Sequence, residues 1–229
     1  MNLFYIPSLH ADAKEITLPE EESKHACRVL RLKNGDQLQL LDGRGGTYTG
    51  EIISDHPKHC TVRITEVVLE AKPAKEIHIA IAPTKNIDRI EWFLEKATEI
   101  GMTEVSFITC SNSERKQIKE DRLEKILIAA MKQSKRSFLP VMNPLASFKE
   151  FVTRHPGGAI AHCEDDNKST LKDVYQQSNF PILIGPEGDF TREEIDFASN
   201  HGYSFVSLGT TRLRTETAGV YAAVICSVL

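Results

Sequence analysis

Hydrophobic and polar residues alternate over short runs in the first part of the chain, in the manner of half-buried strands. These runs cover residues 3–6, 37–41, 48–54 and 61–69. One helical stretch at residues 21–32 interrupts them, and Asp42-Gly43-Arg44-Gly45-Gly46 marks a tight turn between two of them. Short strands joined by turns predict a small β-barrel domain, which we assign to residues 1–71.

From residue 76 the pattern changes to apolar strands that alternate with amphipathic helices. Apolar residues recur at three- and four-residue spacing from Ile87 to Ile100, and Gly101 follows where such a helix would end. Thr191 and Glu194 have the spacing of a capping box at the start of a later helix. This alternation predicts an α/β domain with a mainly parallel sheet, which we assign to residues 72–229. Its predicted strands are 77–82, 105–110, 159–163, 181–184 and 205–208, with further helices at 123–131 and 218–229.

Two glycine-containing loops near the C-terminal end each close an apolar strand and precede a helix. The first comprises residues 184–190 and the second residues 208–219. Because the carboxyl ends of parallel strands open at one edge of a sheet, we expect the two loops to form a ligand site. The first loop has neither the Gly-Lys-Ser/Thr of a phosphate-binding loop nor the GxGxxG of a dinucleotide fold. Taken alone, it is equally well interpreted as a plain turn capped by Thr191.

The second loop carries a stronger local indication of function. Arg212 and Arg214 lie just before the last helix, where positive charge opposes the helix dipole at a cost of roughly a few tenths of a kcal/mol. Residues that break a local rule in this way concentrate at functional sites. The following Thr215, Glu216 and Thr217 can also be interpreted as an N-cap with an acidic first turn and no further role.

The overall charge argues against binding of nucleic acid through the net field of the protein. The sequence has 28 Lys and Arg against 32 Asp and Glu, a net charge of −4, so any RNA contact must use local basic patches. Arg28, Arg31 and Lys33 form one patch on the predicted N-terminal helix. Lys135 and Arg136 belong to a second stretch that no acidic residue interrupts. These five residues are the candidates for contact with RNA phosphates.

The positions of cysteine and histidine indicate neither a metal site nor a disulfide framework. The 5 cysteines include no CxxC pair, and the 8 histidines lack the spacing of metal ligands. His162 is the histidine that lies in a core-like strand near the expected ligand site, where a packed role is favoured over catalysis. No signal peptide and no membrane-spanning apolar stretch is readable, so we expect a cytoplasmic protein.

Four motifs follow one another along the chain, and their order is more specific than any one of them. The first is His25-Ala26-Cys27-Arg28-Val29-Leu30-Arg31, and Glu95-Lys96-Ala97-Thr98-Glu99-Ile100-Gly101 is the second. Gln133-Ser134 with Arg136 is the third, and Gly185-Pro186-Glu187-Gly188 paired with Leu208-Gly209 and Leu213-Arg214-Thr215-Glu216-Thr217-Ala218 is the fourth. Together they resemble the RsmE family of SPOUT-class methyltransferases, which act on a uridine N3 of 16S ribosomal RNA.

The resemblance implies a PUA-like RNA-binding first domain and a second domain with a trefoil knot that binds S-adenosyl-L-methionine. It also implies a homodimer packed around the knot, the small ribosomal subunit as partner, and no metal. Asp189 departs from the family, which usually has a glycine there; we expect the loop to keep its shape because Asp tolerates left-handed φ. The implied cofactor contacts are His162, Ile184, Gly185, Pro186, Gly188, Leu208, Gly209, Leu213 and Thr217.

The implied activity is methylation of uridine N3 with S-adenosyl-L-methionine as methyl donor. For this reaction we expect Arg214 to stabilise negative charge on a uracil oxygen. Glu216 is the nearest candidate base, although capping of the last helix explains it equally well. Two alternatives stay open: a SPOUT-type ribose 2′-O-methyltransferase, and a non-catalytic RNA-binding or assembly protein that keeps the fold.

Overall fold

The chain divides into two units whose boundary does not follow the sequence order. A computed structural model of the protein describes residues 2–164 and 167–229. Residues 1–72 and 131–139 make up the first unit, and residues 73–130 and 140–229 make up the second. The stretch 131–139, which carries Lys135 and Arg136, therefore belongs with the N-terminal strands.

The strands of the first unit form one five-stranded sheet in the order β1-β3-β4-β5-β2. They are β1 (Leu3–Tyr5), β2 (Glu15–Thr17), β3 (Gln37–Leu41), β4 (Gly46–Ser54) and β5 (Thr61–Leu69). β1 is parallel to β3, and the other neighbours are antiparallel. Side chains alternate between the two faces of each strand, so Leu38, Leu40, Tyr48 and Ile52 are buried in one core.

The single helix predicted at residues 21–32 is divided in the structure. α1 (Glu20–Lys24) passes directly into one turn of π-helix (His25–Val29). Arg31 then has a φ of 58°, which is incompatible with a right-handed helix and ends it. Turns of π-helix are rare and occur frequently at functional sites, and this one carries the exposed Arg28.

The second unit contains a seven-stranded sheet in the order β10-β12-β9-β11-β6-β7-β8. All of its neighbouring strands are parallel, as predicted for an α/β domain. Every residue of the central strands β6 and β11 is buried, in keeping with helices on both faces. The strands are β6 (His78–Ile81), β7 (Glu104–Thr109), β8 (Val141–Ser147), β9 (Gly158–Ala161), β10 (Ser169–Thr170), β11 (Ile182–Ile184) and β12 (Tyr203–Ser207).

Local sequence signals set the ends of several helices in this unit. α2 is capped by Asn86, whose side chain accepts a bond from Asp88 N (3.1 Å), and Gly101 ends it with a φ of 120°. The predicted capping box of α6 is present, with Thr191 and Glu194 bonded to each other's backbone N–H groups. The helices are α2 (Ile87–Ile100), α3 (Glu120–Gln133), α4 (Phe148–Arg154), α5 (Leu171–Val174), α6 (Arg192–Asn200) and α7 (Thr215–Val228).

The chain returns across the sheet between its last strand and its last helix. β12 lies on the far side of β9 from β11, yet α7 packs against α2, β6 and β11. The segment 208–214 must therefore cross the carboxyl ends of β9 and β11. At the end of the crossing, Thr215 Oγ1 donates a hydrogen bond to the carbonyl oxygen of Gly185 (3.0 Å). This return over neighbouring strands is the path that the predicted knot requires.

Candidate functional site

A cavity of about 540 Å³ opens where β9, β11 and β12 end. The loops that follow these three parallel strands form its walls, as expected for an α/β sheet. All but two of the predicted cofactor residues line it: His162, Ile184, Gly185, Pro186, Leu208, Gly209 and Leu213. Gly188 and Thr217 are not among the lining residues, whereas Arg214 is.

The first glycine loop, residues 184–190, is held by the loops that follow neighbouring strands. Lys85 N, after β6, donates to Glu187 Oε1 (3.0 Å). Asn112 Nδ2, after β7, donates to the carbonyl oxygens of Gly188 and Asp189 (both 3.1 Å). A Cβ added to Gly188 would lie 3.1 Å from the Asn112 Cβ, so this glycine allows close contact with the loop that follows β7.

Asp189 fastens the same loop to the end of β9. Its φ is 62°, so the aspartate adopts the left-handed conformation that the sequence led us to expect at this position. Its Oδ2 accepts a hydrogen bond from Cys163 N (2.7 Å), and its Oδ1 accepts one from Phe190 N (2.8 Å). The sequence did not predict this use of the carboxylate, because Cys163 is distant along the chain.

The second glycine loop turns at Gly209, which has a φ of 130°. The Ser207 hydroxyl donates to Gly209 O (2.9 Å) and accepts from Gly209 N (3.2 Å). A Cβ at Gly209 would meet no atom of the described residues within 4 Å, so the positive φ and not crowding requires glycine here. The turn leaves backbone exposed to the cavity.

The lining combines apolar surface with charges of both signs. Lys168, Arg212 and Arg214 contribute positive charge, and Glu187 and Asp189 contribute negative charge. Ligands with an apolar ring and a zwitterionic part suit such a site. The arginines, Glu187 and Asp189 lie in the two loops that the sequence predicted to form the site, whereas Lys168 was not predicted.

Two lining side chains have no role as nucleophile or base that the structure supports. The His162 ring packs edge-on against Phe205, with ring centroids 5.0 Å apart, as a structural residue would. Burial, and secondarily the Asp189 carboxylate, raises the pKa of the Cys163 thiol. The thiol is therefore protonated at neutral pH, and the thiolate needed for nucleophilic attack is scarce.

The two predicted catalytic residues lie on different sides of the start of α7. Arg214 is the N-cap residue, and its exposed guanidinium lines the cavity. Glu216 lies in the first turn, is only 7% exposed, and faces away from this cavity toward α2. There its Oε1 lies 3.8 Å from Arg89 Nε. The sequence did not predict Arg89 as a neighbour, because α2 lies far from α7 along the chain.

The predicted RNA-binding residues all belong to the first unit and none lines the cavity. Arg28, Arg31, Lys33 and Lys135 are exposed, and Arg136 is half-buried. Arg31 and Lys135 both have positive φ, 58° and 55°. Lys33 forms an ion pair with Asp55 (3.4 Å), so part of its charge is compensated.

The described part of the chain offers neither a cluster of metal ligands nor a membrane-spanning helix. In residues 2–164 and 167–229, no three His, Cys, Asp or Glu side chains come together as a metal site would require. Within the same residues, no helix combines the length and apolar character needed to cross a bilayer.

Family models match nearly the whole chain. One described as an RNA methyltransferase domain matches residues 70–227, and one described as an RNA methyltransferase PUA domain matches residues 18–65. The ribosomal RNA small subunit methyltransferase E of Synechocystis is 32% identical over 217 residues, which is 90% of this chain and 71% of that protein.

Solved structures resemble the chain over both of its units. The probable rRNA-methyltransferase of Porphyromonas gingivalis has a TM-score of 0.87 and 40% identity, covering 97% of this chain and 95% of that one. A putative methyltransferase of Legionella pneumophila, solved with its bound cofactor SAM, has a TM-score of 0.87 and 29% identity. That likeness covers 99% of this chain and 96% of the Legionella chain.

Proposed function

Because the chain belongs to the RNA methyltransferase family, we propose that it methylates N3 of one uridine in 16S ribosomal RNA, with S-adenosyl-L-methionine as donor. One observation carries the proposal: the two glycine loops line a single cavity at the carboxyl edge of the parallel sheet. The Synechocystis relative is named for small-subunit ribosomal RNA, and the Legionella relative holds SAM. Five free thiols and a ribosomal substrate fit a cytoplasmic enzyme.

The cavity fits S-adenosyl-L-methionine in size and in lining. Its volume of about 540 Å³ lies in the usual range for small-molecule sites. Ile184 and Leu213 offer apolar surface for the adenine ring, and the turn at Gly209 offers exposed backbone. The Lys168 ammonium suits the methionine carboxylate, and the Glu187 carboxylate suits its ammonium. When bound, the cofactor supplies an electrophilic methyl group.

The residues of the chain handle the proton and the charge of the uracil. N3 gains a methyl group and must lose its proton, so negative charge develops on the flanking uracil oxygens. The exposed Arg214 guanidinium stabilises that charge by donating a hydrogen bond to one of these oxygens. Glu216 accepts the N3 proton, since it directly follows Thr215, whose hydroxyl is bonded to Gly185 of the first glycine loop.

The first unit holds the RNA through five basic residues, of which all but Arg136 are exposed. Arg28, Arg31, Lys33, Lys135 and Arg136 all belong to this unit and contact phosphates, which carry affinity without sequence information. Val29 (67% exposed) lies between two of these arginines and offers an apolar surface for an unstacked base.

The enzyme is a homodimer joined through the second unit. Tyr221, Val224 and Val228 are 44%, 38% and 76% exposed, and their spacing places them on one face of α7. A contiguous apolar stripe of this kind marks an interaction surface. Sedimentation of the wild type should therefore give a dimer, and Val224→Glu should give a monomer. A wild-type monomer at all concentrations would contradict the assignment.

The activity is tested by identifying the methylated nucleoside. The protein is incubated with S-adenosyl-L-methionine and either naked 16S ribosomal RNA or assembled small subunits, and the digested RNA is analysed by mass spectrometry. We expect 3-methyluridine as the product. In Arg214→Ala the rate of its formation should fall about 10²- to 10³-fold, while calorimetry should show unchanged cofactor binding. Arg154→Ala, an exposed arginine at the end of α4, is the matched control and should retain activity.

The outcomes separate the alternatives. A 2′-O-methylated nucleoside would identify a ribose methyltransferase instead. Absence of both methylated product and heat of cofactor binding would favour a non-catalytic RNA-binding or assembly protein. Undiminished methylation by Arg214→Ala would remove Arg214 from the mechanism without changing the reaction.

A further inference from the structure

A second cavity, of about 600 Å³, adjoins the first cavity, in which we place the cofactor. Arg212, Leu213 and Arg214 line both, so this segment is a shared wall. The opposite wall of the second cavity comes from α2, through Asp88, Arg89 and Trp92. Its volume is that of a small-molecule site, and it lies beside the cavity that we assign to the methyl donor.

Glu216 contributes to this second cavity a carboxylate whose two oxygens are differently partnered. The side chain is 9% exposed, and its Oε1 lies 3.8 Å from Arg89 Nε. Its Oε2 is buried and has no hydrogen-bond partner among the residues that the structure describes. The dipole of α7 stabilises negative charge at this end of the helix, but it leaves Oε2 without a donor. A buried oxygen of this kind requires a donor, which a ligand with an N–H group supplies.

Trp92 gives the cavity an aromatic wall. It is 44% exposed, and it is the only tryptophan of the chain. An exposed indole face is a stacking surface for a nucleobase. The Arg89, Arg212 and Arg214 guanidinium groups line the same cavity and can donate to carbonyl or phosphate oxygens.

We propose that the second cavity binds the target uridine nucleotide, with its base stacked on Trp92 and its N3–H donated to Glu216 Oε2. Uracil presents an N–H between two carbonyl oxygens, which matches a carboxylate in a cavity that three arginines also line. Cytosine presents a lone pair at the same position and is repelled by the carboxylate. The inference rests on the proposed function and adds to it the place of the base and the residues that hold it.

Fluorescence of Trp92 reports directly on the occupancy of this cavity, because no other tryptophan contributes. Titration with uridine 5′-monophosphate should change the emission in a saturable way, and cytidine 5′-monophosphate should bind about tenfold more weakly, as loss of one hydrogen bond to a charged group allows. Glu216→Gln should abolish the preference for uridine over cytidine, since an amide can face either base.

Methylation assays supply the independent readout. Trp92→Ala should raise the KM for ribosomal RNA about tenfold, the effect of one lost stacking contact, with binding of S-adenosyl-L-methionine unchanged. Trp92→Phe should restore most of the KM. Glu95→Gln changes an exposed residue of the same helix outside the cavity and should match the wild type.

The two proposals fail in different ways. Wild-type protein that binds the cofactor and methylates RNA, but whose Trp92 emission ignores nucleotides and whose Trp92→Ala variant keeps its KM, overturns the uridine site and leaves the function standing. Emission that follows protein concentration instead of nucleotide identifies a second copy of the chain as the occupant, and also overturns it. Wild-type protein that yields no methylated RNA refutes the function itself.

Discussion

Replacement of Asp189 by glycine is a sharp test of how the cofactor loop is held. The carboxylate joins two walls of the cavity, through the bonds from Cys163 N (2.7 Å) and Phe190 N (2.8 Å). Glycine removes both bonds but accepts the observed φ of 62° without strain. The variant therefore separates the conformational requirement at this position from the requirement for the carboxylate.

The expected magnitude follows from these two effects. A hydrogen bond to a charged group contributes about 1.5–3 kcal/mol, and glycine regains about 1 kcal/mol by relieving the left-handed backbone. The Phe190 bond is local to the loop, so we count only the bond to Cys163, which joins two loops. The net loss is about 0.5–2 kcal/mol, which corresponds to an about two- to thirtyfold lower population of the loop in its observed conformation. Cofactor affinity should fall by the same factor.

Calorimetry with S-adenosyl-L-methionine measures this factor directly. Asp189→Asn keeps one acceptor oxygen without the charge and should give an intermediate affinity. Ser147→Ala is the control, because it breaks the capping box of α4 outside the cavity and should cost about 1 kcal/mol of stability at unchanged affinity. An Asp189→Gly variant that binds the cofactor as tightly as the wild type would refute the reasoning.

Three further predictions concern the two units separately. Arg31→Ala and Lys135→Ala should each reduce the slope of log affinity for RNA against log salt concentration by about 1; unchanged slopes would exclude both residues from phosphate contact. Gly219→Ala should cost about 1–3 kcal/mol in urea unfolding, since the new Cβ would lie 2.7 Å from the Phe93 ring. Burial lowers the pKa of His78 from 6.5 to about 4, and the Glu104 carboxylate partly opposes this shift. The neutral imidazole therefore adds to the free energy of unfolding in full above pH 6.5, and this contribution is lost as the pH falls toward 4. From about pH 7.5 to pH 5 the free energy of unfolding of the wild type should fall by about 2 kcal/mol more than that of His78→Gln. Equal falls in the two proteins would contradict the assignment.

The sequence predicted best the elements whose apolar pattern reflects burial. β3 and β5 have the predicted bounds, and the family, the α/β class and the enzyme class are confirmed. β8 and α4 were not predicted. β8 is an edge strand that exposes much of its length and contains Pro144 at a register shift, so it lacks the alternation of a buried strand.

In the candidate site, the sequence predicted features that lie within one segment but not contacts between residues distant along the chain. Each glycine loop is a continuous segment of sequence and could be recognised from its own residues. The two predicted loops supply most of the residues that line the cavity. Partners that the topology brings from other strands or helices, such as Cys163 for Asp189 and Arg89 for Glu216, leave no local pattern. The grouping of residues 131–139 with the N-terminal strands was missed for the same reason.

The start of α7 shows why the role of Glu216 could not be read from the sequence and what the structure adds. Thr215 is buried and bonded to Gly185 O, which fixes the first residue of the helix against the cofactor loop. Arg214, before it, therefore reaches both cavities, whereas Glu216, after it, reaches only the second. An acidic residue that serves only the helix dipole needs neither burial beside Arg89 nor an oxygen that lacks a donor. Because Glu216 has both of these features, its burial favours a role toward substrate over a role as a cap.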